Sequence, residues 1–410
     1  MLAQFYPPII GGEERMVATL SAGLARRGHL VSVATLLSDS FPEYEERDGV
    51  RIHRIPSVGQ RLGRVFSEPG RRHAAPAPDP ASVRRLRRLL LHEQPDVVHA
   101  HNWLVNAIVP LKRQGGPALV LSLHDMSLVC PTKRFIHKGA PCGGPALGKC
   151  ILNASRHYGA AKGVPVAVAH RGMRPAVRRA VDLFLPVSRA VAHNCRLDAM
   201  GLPYEVMPNF LDDELTAPAT PDHPPVGLPD DGFVLFVGDL VDEKGIDVLL
   251  DAYAGLEAAP PLVLIGRPYS ERLQALPPNV LVLGPLPHNQ VLSASRRCSV
   301  AVVPSIGPES FGLFALEAQA AGKPVIATRV GGLDEVVVDA ETGVLVPPGD
   351  VTALRGALRE LLSDAGARDR MGRSARRHAT QFAASQVVPR IEDVYARVVR
   401  ARASRTGAPR

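Results

Sequence analysis

Glu309 and Glu317 stand eight positions apart around Ser310-Phe311-Gly312-Leu313. The apolar run Ser299 to Val303 before them predicts a buried strand, and Phe311 to Ala321 has helix-forming composition. Glu309 then falls in a strand-to-helix loop and Glu317 in the second helical turn. A helix N-terminus presents unpaired backbone N–H groups and a positive dipole end, which suits a phosphate. Glu317 lies among Phe314, Leu316, Ala318 and Ala320, where a carboxylate is costly unless it meets hydroxyls or a cation.

Further residues have chemical potential. Gly11-Gly12 precedes a helix, Glu13 to Arg27, and lets the backbone approach a diphosphate closely. No third glycine completes G-x-G-x-x-G, which argues against a dinucleotide oxidoreductase. His124 ends the strand Leu119 to Leu123, where open α/β sheets place ligand contacts. Lys244 lies in Gly238-Asp239-Leu240-Val241-Asp242-Glu243-Lys244-Gly245. Cys130, Cys142 and Cys150 form a loose cluster, a candidate structural zinc site with His137 or His157 as fourth ligand; three ordinary buried thiols are the competing reading. Cys195 and Cys298 read as core residues.

The elements around these residues alternate in two blocks. The first runs through strands Leu30 to Leu36, Gly49 to Ile55, Asp96 to His101, Leu119 to Leu123 and Leu183 to Val187. It includes a helix from Ser82 to His92, a loop over residues 57–80, and an irregular Cys- and Gly-rich stretch over 130–163. Five prolines in Thr216 to Asp231 mark a linker. The second block has strands Phe233 to Val237, Leu262 to Ile265, Val280 to Leu283, Val300 to Val303 and Val325 to Thr328. Its helices are Ile246 to Leu256, Asn289 to Cys298 and Thr352 to Ser363. The Arg-rich segment Ala367 to Arg402 reads as helical. Strands alternating with helices predict two doubly wound α/β domains.

The Glu309–Glu317 stretch, with Pro304-Ser305 before it and Ala321-Gly322-Lys323-Pro324-Val325 and Val330-Gly331-Gly332-Leu333-Asp334-Glu335 after it, resembles the E-x7-E signature of retaining glycosyltransferases of the GT-B fold, family 4 in particular. The resemblance covers nearly the whole chain and implies the GT-B architecture, two Rossmann-like domains facing a central cleft. It implies an acceptor-side domain over 1–212, a linker over 213–231 and a nucleotide-sugar donor domain over 232–385, with the last helix, 386–405, returning to the first domain. Family roles carried over give Glu309 the donor sugar and Glu317 the nucleotide ribose. Gly312 and Leu313 hold the diphosphate through backbone N–H groups, Gly11 and Gly12 form the phosphate and acceptor loop, and His124 reaches the sugar. His99 and His101 resemble the family strand D-V-V-H-x-H. Lys244 matches the cation of G-R-L-x-x-E-K-G, but Asp239 replaces its Arg; Arg267 is expected to supply that charge, with Arg329 in reserve. The family opens on a full strand where this chain has Leu2 to Phe5, so partly unpaired neighbours and a start further upstream are expected.

The implied activity is transfer of a sugar from a nucleotide-diphosphate donor to an acceptor hydroxyl with retained configuration and no required metal. Catalytic weight is expected on Glu309, His124 and Lys244. A GT-B epimerase or hydrolase would need carboxylates placed for proton removal or water activation, which are not identifiable. A nucleotide-sugar-binding protein without turnover is the alternative that Asp239 suggests. The acceptor is expected to be a carbohydrate, a lipid-linked sugar or a small molecule. With a formal charge of +8 over 410 residues, the chain is basic, yet aromatics are 5% and interleave with no basic segment, which argues against nucleic acid. Arg84, Arg85, Arg87 and Arg88 on one helix are a candidate contact with anionic lipid, though a solvated face suffices to explain them. No signal sequence or apolar spanning segment is visible, so the expected location is the cytoplasm, with the inner membrane face as a peripheral site.

Overall fold

A computed structural model of the chain describes residues 1–9, 11–38, 41–58, 74–216, 224–230, 232–269, 273 and 276–406. Most of the loop expected over 57–80 (residues 59–73) and part of the linker (217–223 and 231) lie outside the described residues. The chain forms two compact units. Unit 1 holds Met1–Phe135, Cys142–Pro208 and Val387–Arg410, and unit 2 holds Ile136–Pro141 and Asn209–Gln386. The change of unit falls after Pro208, and Leu211 bridges Ala383 within unit 2. Most of the last helix, Ala384–Thr406, belongs to unit 1.

Unit 1 contains α1 (Gly12–Arg26), β1 (Val31–Leu36), β2 (Tyr44–Arg47), β3 (Val50–Ile55), α2 (Pro80–Glu93), β4 (Val97–His101), β5 (Ala118–Leu123), α3 (Leu147–Tyr158), α4 (Ala160–Ala180) and β6 (Leu183–Pro186). Strands β1 and β3 pair in parallel, as do β4 with β5 and β5 with β6, while β2 is an antiparallel edge. Residues 1–4 join the two halves, since Leu2 bridges both Ala34 and Ala100. Leu2 N–H donates to His99 O at 2.8 Å and Ala3 N–H to Ala34 O at 3.1 Å. The short first strand thus pairs on both sides, and its neighbours are less exposed than expected. Near-continuous apolar runs such as Ala118–Leu123, buried throughout, are what a parallel sheet covered on both faces requires.

The stretch 130–163, expected to be irregular, instead carries α3 and the start of α4. Helix α3 fully buries only Ala154, so little apolar periodicity marks it in the sequence.

Unit 2 contains β7 (Val234–Val237), α5 (Ile246–Ala254), β8 (Leu262–Ile265), β9 (Val280–Val282), α6 (His288–Arg297), β10 (Val300–Val303), α7 (Leu313–Ala320), β11 (Val325–Thr328), β12 (Gly343–Val346), α8 (Val351–Ser363) and α9 (Ala365–Ala379). The strand order β9-β8-β7-β10-β11-β12 is parallel throughout. Val234, Leu262, Val300 and Ile326 from its strands pack with Ile246, Leu249, Leu354 and Leu358 from α5 and α8 in one core. The order reverses between β7 and β10, and a crevice at the carboxyl ends of those strands is where such sheets bind ligands. In unit 1 the equivalent reversal lies between residues 1–4 and β4.

Candidate active-site residues

In unit 2, the loops after β7 and β10 leave the sheet at its point of reversal. Lys244 Nζ donates to Glu309 Oε1 at 2.5 Å, and Ser305 Oγ donates to the same oxygen at 2.6 Å. Burial by itself would raise the Glu309 carboxyl. The Lys244 ammonium and the hydrogen bonds from Lys244 and Ser305 outweigh it and hold Glu309 below the usual carboxylate range. Glu309 is thus a fixed carboxylate, with Lys244 and Ser305 both on Oε1. Thr328 Oγ1, at the end of β11, donates to Ser305 O at 2.5 Å and fixes the loop from the next strand.

The backbone around Glu309 is specified by two glycines. Gly312 caps α7 at φ +98°, a left-handed conformation, and a Cβ there would stand 2.5 Å from Leu333. Gly331 has φ +61°, and a Cβ there would meet Glu309 O at 1.8 Å. This contact lets Gly332 N–H donate to Glu309 O at 2.9 Å. The turn at Gly312 also explains why the helix opens at Leu313 rather than at Phe311. The first N–H groups of α7 have no partner within the helix and form a natural anion seat.

Glu317 is 6% exposed on α7 and receives a hydrogen bond from His288 Nε2 at 2.9 Å. His288 opens α6 and, like Ser305, is a site residue that motif spacing did not reveal. Its signal in the sequence is a His directly after Leu286-Pro287, where a helix begins.

Asp239 and Arg267 end adjacent parallel strands, β7 and β8, one residue beyond a glycine each. Arg267 Nε donates to Asp239 Oδ1 at 3.0 Å and Nη2 to Oδ2 at 3.2 Å. This two-pronged pair offsets the charge of Asp239. Arg267 thus acts first on Asp239. Arg329, the reserve cation, pairs with Asp339 and is half exposed.

In unit 1, Gly11 is extended (φ −170°) and caps α1, so the glycine turn at the sheet reversal needs no left-handed backbone. His124 and His101 stack at 5.2 Å, with His101 Nδ1 and His124 Nε2 3.0 Å apart. Burial, then the neighbouring His99 and His124, hold His101 neutral, well below the ordinary histidine range. His99 is structural, bridging Ser122 and Tyr395. Glu13 was not anticipated. Asn102 Nδ2 donates to it, and burial followed by the Asp125 and Glu14 charges pushes its carboxyl up to about 8.

A zinc site needs ligands that converge. Cys130 Sγ instead lies 3.3 Å from Thr132 Oγ1, and Cys142 Sγ donates to Gly144 O at 3.4 Å. Among the described residues no group of three or more His, Cys, Asp or Glu is placed to hold a metal ion, so Cys130, Cys142 and Cys150 do not fit zinc. A cavity of about 680 Å³ in unit 1, lined by Met1, Leu24, Leu90, Glu93 and Tyr395 among others, lies at the amino ends of β1 and β4. It is remote from the carboxyl ends that carry His101 and His124.

The family description "Glycosyl transferases group 1" matches residues 220–378, and "Glycosyltransferase Family 4" matches residues 10–215. The chain is 31% identical over 412 residues to D-inositol 3-phosphate glycosyltransferase of Xylanimonas cellulosilytica, covering 96% of this chain and 94% of that protein. The protein of the same name from Streptomyces avermitilis is 32% identical over 345 residues, 75% of this chain and 66% of the relative. Anabaena HepE in complex with UDP-glucose has the same fold, with TM-score 0.67 at 20% identity, covering 96% of this chain and 98% of that one.

Proposed function

Because the chain belongs to glycosyltransferase family 4 and has the GT-B fold, we propose that it transfers a sugar from a nucleotide-diphosphate donor to an acceptor hydroxyl with retention of configuration and without a metal ion. The observation that carries this reading is the Lys244–Glu309–Ser305 cluster beside Gly312 and buried Glu317 at the sheet reversal of unit 2. Glu309 accepts hydrogen bonds from donor-sugar hydroxyls. Glu317, oriented by His288, accepts from the ribose. Lys244 has three N–H donors, so one can hold Glu309 while the others meet the leaving diphosphate. The N–H groups of Gly312 and Leu313 add the helix-terminal field, and this preorganised charge performs the work a metal would do elsewhere.

In this mechanism the bond from the anomeric carbon to the diphosphate oxygen breaks, and the acceptor oxygen attacks from the same face. The acceptor proton passes to the departing phosphate oxygen, and no protein nucleophile is used. His124, at the end of β5 in unit 1 and stacked on His101, offers its imidazole to the sugar. The relatives named for D-inositol 3-phosphate support a small or carbohydrate-like acceptor. The test is the product's anomeric configuration by proton NMR, with sugar nucleotides of known α-configuration, chelator present, and D-inositol 3-phosphate as first acceptor. An α-linked first product supports the reading. A β-linked product, or transfer that requires added metal, refutes it.

A further inference from the structure

The helical hairpin α3–α4 holds most of the protein's excess charge and none of its site residues. Residues 147–180 contain Lys149, Arg156, Lys162, Arg171, Arg174, Arg178 and Arg179 and no Asp or Glu. Of the formal +8 on the chain, +7 lies here, leaving +1 for all the rest. Arg174 and Arg178 each retain a buried Nε without a hydrogen-bond partner among the described residues.

The two helices touch through small residues. A Cβ at Gly163 would lie 2.3 Å from Ala154 O, so the backbones are in direct contact there. Helix α4 buries Gly163, Ala167, His170, Arg174 and Val177, one stripe at helical spacing, and His170 Nε2 donates to Ser127 O at 2.7 Å. The opposite stripe faces out, with Val164 and Val168 39% and 52% exposed and Arg171 and Arg179 further along. On α3, Leu147 and Leu152 are 50% and 45% exposed and Arg156 is exposed. Four large aliphatic side chains in water, on a segment with seven cations and no anions, are a surface built for something both apolar and negative.

We propose that the α3–α4 hairpin docks this protein on an anionic lipid bilayer, with Leu147, Leu152, Val164 and Val168 entering the headgroup–acyl boundary and the Arg and Lys side chains meeting lipid phosphates. A nucleic acid would satisfy the cations but leave the aliphatic side chains in water, and the hairpin offers no exposed Phe, Tyr or Trp on which bases stack. A second copy would bring +7 against +7. Among the described residues no helix is long and apolar enough to cross a membrane, so the contact is peripheral. It differs from the α2 face, where Arg84, Arg87 and Arg88 surround buried Leu86 and exposed Leu91 stands apart.

The full chain is sedimented with vesicles of phosphatidylcholine alone, or with about 30% phosphatidylglycerol, at near-physiological salt of about 0.15 M. Binding is expected to the anionic vesicles and not to the neutral ones. Each cation near such a surface is worth roughly fivefold in partitioning, so Arg171→Glu/Arg179→Glu, a change of four charges, should lose at least about a hundredfold. Leu152→Gln/Val168→Gln should weaken binding without changing net charge. Arg84→Glu/Arg87→Glu, the control on α2, should retain anionic-over-neutral discrimination and lose less than the hairpin pair. All six positions are on exposed faces, so thermal melts of the variants should match wild type. Failure to bind anionic vesicles overturns the proposal. So does loss with the α2 pair but not the hairpin pair, or binding to a DNA duplex that is indifferent to Leu152→Gln/Val168→Gln.

Discussion

Removing the Arg267 guanidinium separates its role in stability from its role at a diphosphate. The Arg267–Asp239 pair is two-pronged, but its side chains are 39% and 42% exposed, so screening leaves it worth about 0.2–1 kcal/mol to the fold. That shifts a domain of this size by roughly 2–4 °C at most. A unit charge about 4 Å from a phosphate is worth ~1 kcal/mol in water and ~4 kcal/mol at the effective dielectric of a protein surface. Each ~1.4 kcal/mol is tenfold in affinity. Arg267→Ala should therefore weaken nucleoside diphosphate binding by roughly fivefold to several hundredfold, with a nearly unchanged melt. Asp239→Ala removes the carboxylate that holds Arg267 and repels the ligand, so it should bind at least as tightly as wild type. Asp239→Arg/Arg267→Asp keeps the ion pair and returns the cation to the neighbouring strand end, and should recover most of the lost affinity. Calorimetric titration with ADP, GDP and UDP reads all three. If Arg267→Ala binds as wild type, Arg267 serves Asp239 alone and Lys244 is the cation left at the leaving group.

Glu309→Ala should leave nucleoside diphosphate affinity within a few-fold of wild type but abolish the added affinity of the sugar nucleotide, which the same titration measures. For Lys244–Glu309 the sign follows from the lowered Glu309 carboxyl. Its stabilisation is full above the ordinary carboxylate range and lost as pH falls through the lowered folded value, so Lys244→Met should flatten the acid limb of a melt-versus-pH curve. Glu13 works oppositely. With its carboxyl pushed up to about 8, ionisation costs stability as pH rises from about 4.5 to 8. Glu13→Gln should therefore gain relative to wild type across that window, and a constant difference would show that Glu13 is not buried as the geometry has it. Treatment with a strong zinc chelator should leave the melting temperature unchanged, since the cysteines do not converge; a drop would mean that they hold a metal.

The donor-side residues were legible because their roles depend on spacing. Glu309, Gly312 and Glu317 lie within one turn and one helix, so their order along the chain is nearly their order in space. Two α/β units followed from the alternation of apolar runs with helical stretches, but the edge strands β2 and β12, short and beside turns, did not show in it. Partners supplied by distant loops were not legible. Ser305 acts through a local turn, but His288 reaches Glu317 from another helix, and Asn102 reaches Glu13 across 89 residues. Asp239 showed only as a reversed charge, and its neutraliser was named for a different task until the geometry paired them. The α3–α4 hairpin was missed for a further reason: α3 fully buries little beyond Ala154, so it lacks the apolar periodicity that marks a packed helix.

Titration of the full chain with ADP, GDP and UDP, without metal and repeated with Lys244→Ala and Glu317→Ala, tests the donor site most directly. At least one nucleotide should bind wild type, with Lys244→Ala weakened through the diphosphate and Glu317→Ala through the ribose, each by tenfold or more. Absence of binding by all three nucleotides, or affinities unmoved by either substitution, would contradict a nucleotide-sugar site built on these residues.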